Sequence, residues 1–248
     1  MRAQLIVASG VLALTALAWF YLLRMAGTMT PVSMSALAMP EMQMWSAPDI
    51  SMLFGMWALM MVAMMLPSAL PVMLLALGTY QRRTGRNAYM QAALFLVGYV
   101  LVWMGFSAVA ALTQAALHRA ALLSPMMATS SGALGGVLLL VAGVYQWSPL
   151  KRTCIKHCRS PLDFLGSNWR DGIVGAFRLG AHHGLFCVGC CWALMALLFV
   201  AGVMNLLWVA VIAVLVLVEK AAPDGAFAGR LTGATLIVWG VLLVVRGA

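Results

Sequence analysis

The segment HHGLFCVGCCWALM, residues 182–195, places two imidazoles and three thiols at the start of an otherwise apolar run. On an α-helix at about 100° per residue, His183, Cys187, Cys190 and Cys191 fall within an arc of about 100°. All four therefore share one face. His182 sits about 100° from His183 and is placed as a supporting group behind it. Thiolate and imidazole together suit Cu(I), with Zn(II) possible as the alternative ion. The same residues also fit ordinary helix packing, since cysteine behaves as a small apolar side chain and Gly184 and Gly189 permit close neighbours.

A second cluster, CIKHCRSP at 154–161, spaces Cys154, His157 and Cys158 at i, i+3 and i+4. One helical turn would present all three on one side. Three ligands leave a tetrahedral sphere incomplete, so this cluster reads as part of a site shared with 183–191, as a handover station, or as a basic loop with incidental cysteines.

Methionine forms the third feature. Twelve of the 20 methionines lie between Met25 and Met65, and six of those precede the second apolar run. Within that run, Met52, Met56, Met60 and Met64 recur every four residues, a thioether stripe that could relay a soft cation or simply pack. Glu219, closing a later apolar run beside Lys220, is expected to orient an imidazole as an outer acceptor or to meet interfacial water.

These groups need elements to hold them. Of 248 residues, 64% are hydrophobic and 8% charged, which excludes an ordinary water-soluble domain. The apolar runs show no strand-like alternation, so the fold class is all-α: a polytopic transmembrane helical bundle with about seven spans, or six. The expected spans are roughly 5–23, 52–75, 91–115, 132–147, 183–202, 206–218 and 231–245. The first resembles a secretion signal in its opening but is too long and lacks a cleavage site, and is read as retained. Pro67 and Pro71 should break the second span near the level of the cysteines.

With the N-terminus in the cytoplasm, all cations except Arg24, Arg119 and Arg246 fall on inner segments, twelve of the fifteen. The chain thus reads as one integral membrane domain, 1–248, with a Met-rich external segment at 24–51. A basic Cys/His connection at 148–182 lies inside. The location this implies is the bacterial cytoplasmic membrane. The formal charge of +9 is then an orientation signal, and nucleic acid is not an expected partner. The expected partners are the lipid bilayer, a metal ion, and a membrane protein or metallochaperone that exchanges it.

The segments 56–68, 145–165, 182–209 and 219–223 together resemble a bacterial family catalogued as domain of unknown function 2182, predicted metal-binding integral membrane proteins. The likeness covers about residues 50–230. It implies membrane residence and metal binding, and names no reaction. Phosphate-binding loops, dinucleotide fingerprints and hydrolase triads are missing from the sequence. The leading expectation is soft-metal handling: copper acquisition, transfer or transport. The alternatives are a membrane oxidoreductase, either copper-dependent or using Cys187 and Cys190 as a C-x-x-C pair, and an accessory subunit of a larger membrane complex.

Overall fold

In the computed structural model the described residues are 2–28, 47–120, 132–203 and 205–247, and every regular element among them is helical. In chain order these are α1 (Arg2–Thr28), α2 (Ala47–Thr84), α3 (Ala88–Arg119), α4 (Gly132–Gln146) and α5 (Pro149–Arg159). There follow α6 (Pro161–Asn168), α7 (Gly172–Ala196), the single turn α8 (Leu198–Ala201), α9 (Leu206–Ala221) and α10 (Gly225–Gly247). Of the Met-rich segment expected at 24–51, residues 29–46 lie outside the described residues.

Five stretches are long and apolar enough to cross a membrane: Arg2–Gly27, Pro48–Arg83, Ala88–Arg119, Gly172–Ala201 and Gly225–Arg246. A sixth is added if α4 and α5 count as one span bent by 62°. Length and composition thus yield five or six spans where the apolar runs suggested about seven. Two short helices account for the difference. The 16 residues of α9 reach only about 24 Å against a hydrocarbon core of about 30 Å. The 15 residues of α4 stop where Ser148 starts a new helix, its side chain accepting from the Lys151 amide at 3.1 Å with Pro149 in the first turn.

The centre of the bundle is built from α2, α3 and α7. Trp57, Trp103, Tyr80, Tyr99 and Phe95 are fully buried there, while α1 turns Leu5, Leu12 and Leu17 outward. Between α3 and α7 the backbones touch. A Cβ added to Gly98 would strike the Phe177 carbonyl, and one added to Gly180 would strike the Phe95 carbonyl. Only glycine permits that approach, and it sets the depth of everything further along α7. A similar reciprocal contact joins α4 to α10, with Gly136 against Gly240 and Gly143 against Gly233.

The expected break at Pro67 and Pro71 is not found, because α2 runs continuously from Ala47 to Thr84 with both prolines inside it. Proline at 67 removes the amide that the Ala63 carbonyl would normally receive. The indole Nε1 of Trp19, on α1, donates to that carbonyl at 3.2 Å instead. A tertiary bond thus replaces a helical one, and α2 keeps its course.

Replacing Gly98 or Gly180 by leucine should force α3 and α7 apart, costing about 3 kcal/mol or more, above the usual range for overpacking because backbone atoms are struck. Gly105→Leu, on the same α3 but with open space around it, is the control and should behave as wild type. Thermal unfolding and size-exclusion profiles in mild detergent distinguish these outcomes.

Candidate metal centre

On α7 the helical spacing does what the angular argument requires: His183, Cys187, Cys190 and Cys191 are all buried. The connection expected at 148–182 as a cytoplasmic segment folds into two short helices. The first of them, α5, lies against α7. It is amphipathic, with Lys151 and Cys154 buried and Arg152, Thr153 and Lys156 exposed. Gly189 makes room for its approach: a Cβ there would lie 2.8 Å from the Cys154 sulfur. The Tyr145 hydroxyl donates to the Gly189 carbonyl and fixes the end of α4 against the same turn.

Cys158 interacts with Cys187 and Cys190, Cys191 interacts with the same two, and all five cysteines are free. Cys158 Sγ lies 3.9 Å from Cys190 Sγ. From α2, Met65 Sδ lies 3.9 Å from Cys191 Sγ. Two sulfurs each about 2.3 Å from a tetrahedrally bound ion lie about 3.8 Å apart, so both spacings match the edge of a sulfur coordination sphere.

Residues 54–243 match a family described as copper chaperone, PpoB2. The chain belongs to that family. The matching description is copper chaperone and not the domain-of-unknown-function naming that the motifs resembled, and zinc gains no support from it. The match takes in every cysteine and Met56 through Met65, and leaves out Met52. No curated protein and no solved structure matches the chain.

A copper chaperone carries its ion as cargo, so its site must be soft and must also let go. The donors present fit the first need, being thiols and a thioether. Among the described residues, no three His, Cys, Asp or Glu side chains are arranged to hold a metal ion as they stand. The Cys190 and Cys191 thiols instead donate to the Cys187 carbonyl, at 3.1 and 2.8 Å. Cys187 Sγ lies 3.1 Å from the Tyr99 hydroxyl, which donates to the Met65 carbonyl at 2.9 Å, and it receives the Lys220 ammonium at 2.8 Å. The Cys187, Cys190 and Cys191 sulfurs are thus engaged by hydrogen bonds within the protein.

The histidines divide. His183 sits among Phe95, Tyr99 and Phe164, and its Nδ1 is buried without a hydrogen-bond partner. His157, expected to join Cys154 and Cys158, stacks flat on Phe186 at 4.1 Å and bonds the Thr153 carbonyl through Nδ1. His182 packs against Phe164 and Phe186. Glu219 has no imidazole among its bonded partners. Its carboxylate pairs with Lys151 at 2.6 Å and accepts from Gln146 at 3.0 Å, and Lys151 also donates to the Gln146 side-chain oxygen. Both partners of the ion pair are almost fully buried. The methionine stripe is also only partly inside, with Met52 exposed, Met56 half-buried, and Met60 and Met64 buried.

Three residues at the centre have no periodic sequence signature: Met65, Tyr99 and Lys220. Met65 belongs to the paired methionines Met60–Met61 and Met64–Met65, and lies one residue off the stripe. Lys220 adjoins Glu219, and a charged pair ending an apolar run is the one signal that could have pointed to it.

Removing one member of the buried pair leaves the other charge unpaired. Lys151→Met or Glu219→Gln alone should cost about 3–5 kcal/mol, whereas Lys151→Met combined with Glu219→Leu should recover most of it. Thermal unfolding in detergent, compared across the three variants, checks this non-additivity.

Proposed function

We propose that the protein is a membrane-embedded copper chaperone that takes Cu(I) as cargo at a sulfur site formed by Cys158, Cys187, Cys190 and Cys191 with Met65. The reading is supported by two sulfur contacts on the same turn of α7, Cys158 of α5 beside Cys190 and Met65 of α2 beside Cys191. Soft donors of this kind select a soft monovalent ion, and burial keeps competing water ligands away. His183, with its buried open nitrogen one helical turn from Cys187, is the imidazole we assign to complete or flank the sphere.

Delivery follows from the methionines. Met61 lies one turn from Met65 on α2, and both are fully buried. The relay expected from Met52, Met56, Met60 and Met64 therefore has its final step one residue away, at Met65. In the orientation favoured by the positive-inside rule, the N-terminus is cytoplasmic and α2 starts at the outer surface of a bacterial inner membrane. Cu(I) then enters from the outer methionines and leaves past Cys154 and half-buried Cys158. The exposed basic side of α5, with Arg152 and Lys156, offers an acceptor metallochaperone its docking charge.

A redox reading has one observation of its own. Besides the C-x-x-C pair Cys187 and Cys190, the Cys158 and Cys190 sulfurs lie 3.9 Å apart, which adds a second pair of thiols that could join. Purified protein carrying a Cys158–Cys190 disulfide and no copper would favour it.

Cu(I) titration of detergent-purified protein against a chromogenic chelator, with elemental analysis, tests the main reading. Wild type is expected to retain Cu(I), and the combined Cys187→Ser, Cys190→Ser, Cys191→Ser variant to lose it. Met65→Leu should weaken binding about tenfold, the low end of what losing a supporting group costs a metal site. Met52→Leu should leave it unchanged. Retention of Cu(I) by the triple variant at wild-type stoichiometry overturns the assignment.

A further inference from the structure

The sequence ends an apolar helix with Glu219 and Lys220, two charges that a helix turns about 100° apart. The structure sends them to opposite sides. Glu219 meets Lys151 and Gln146 of α5 and α4, whereas Lys220 reaches Ser68 Oγ on α2 at 3.2 Å and Cys187 Sγ on α7 at 2.8 Å. Among the described residues the ion pairs are Lys151–Glu219 and the exposed Arg83–Asp171, so no carboxylate is paired with Lys220. Its charge is directed at sulfur. The thiols of Cys158, Cys190 and Cys191 lie within its electrostatic range as well.

We propose that Lys220 is a specificity-determining cation of the sulfur site, its ammonium supplying the counter-charge that makes a two-thiolate site neutral with a monovalent soft ion. This rests on the reading that the cysteine cluster is the copper site. A site inside a membrane protein is stable only near zero net charge, because uncompensated ions there lose their hydration. One ammonium and one monovalent ion balance two thiolates. One ammonium and one divalent ion leave a positive excess. To remove that excess the site must ionise a further cysteine.

The hydrogen bonds set what each ionisation costs. Counting Cys187 as the thiolate that faces the ammonium once metal is bound, a monovalent ion needs one more, and either Cys190 or Cys191 can supply it. The Cys187 carbonyl then keeps the other thiol as its donor. A divalent ion needs two, and if Cys190 and Cys191 supply both, that carbonyl loses both side-chain donors. Without Lys220 the order reverses. Two thiolates then carry an excess negative charge with a monovalent ion and are neutral with a divalent one.

The test uses the full chain in mild detergent with Cu(I), Ag(I), Zn(II) and Cd(II) as separate probes. It reads bound metal by elemental analysis and sulfur-to-metal absorbance, so no transport or delivery assay is needed. Wild type should take Cu(I) and Ag(I) and exclude Zn(II). In Lys220→Met the preference for monovalent over divalent ions should fall by on the order of 100-fold, as expected for one uncompensated charge a few ångströms away. Lys220→Arg should keep the wild-type preference. An unchanged ratio in Lys220→Met overturns the proposal, even with copper still bound. Wild type that binds Zn(II) as tightly as Cu(I) also overturns it, and needs no variant to fold. Wild type that takes up neither Cu(I) nor Ag(I) is a different failure, that of the copper site itself.

Discussion

Lys151 and Glu219 bond at 2.6 Å with both side chains almost fully buried, and the arrangement of their end of the bundle depends on that pair. Lys151 is on α5, the amphipathic helix that carries Cys154 and Cys158, and Glu219 is near the end of α9. The ion pair therefore ties the helix bearing two of the cysteines to a helix that bears none. Arg159 reinforces the tie by donating to the Ala222 and Pro223 carbonyls, each at 2.7 Å, just past the end of α9. Because Glu219 is occupied in this way, its neighbour Lys220 is left to face α2 and α7. The polar interior is thus divided in two, with a carboxylate facing one lysine and sulfur facing the other.

On the copper reading proposed above, the same principle lets the sulfur compartment be loaded and emptied. A coordination sphere assembled in advance would bind tightly and release slowly. Here the thiols are held by donors and acceptors of the protein itself, chiefly the Cys187 carbonyl, the Tyr99 hydroxyl and the Lys220 ammonium. Entry of an ion exchanges those bonds for metal–sulfur bonds, and departure restores them.

The helical class and the buried cysteine face of α7 were legible from composition and the 3.6-residue period, because both are properties of a single segment. What depended on neighbouring segments was not. Met65 lies in a run of methionines where only the opposing Cys191 decides which thioether matters. His157 has the spacing of a ligand with Cys154 and Cys158, yet Phe186 offers its ring a flat partner and the Thr153 carbonyl takes its nitrogen. Glu219 was placed near an imidazole because α7 and α9 are sequential, whereas the cation that claims it arrives from α5. The count of seven spans, against five or six by length and composition, differed at α4 and α9 for a simpler reason. Apolar composition continues past the point where a helix stops, and Ser148 with Pro149 marks a stop that hydropathy does not register.

The bond from Trp19 to the Ala63 carbonyl bears on how the bundle is made. That carbonyl lies inside a segment that has to settle in lipid, where an unanswered acceptor is costly. A chain produced from its N-terminal end has the indole of α1 in the membrane before the proline gap of α2 emerges. The first helix, although mostly turned towards lipid, therefore acts as an assembly template for the second, and a chain begun downstream of Trp19 would insert α2 with its polar gap open.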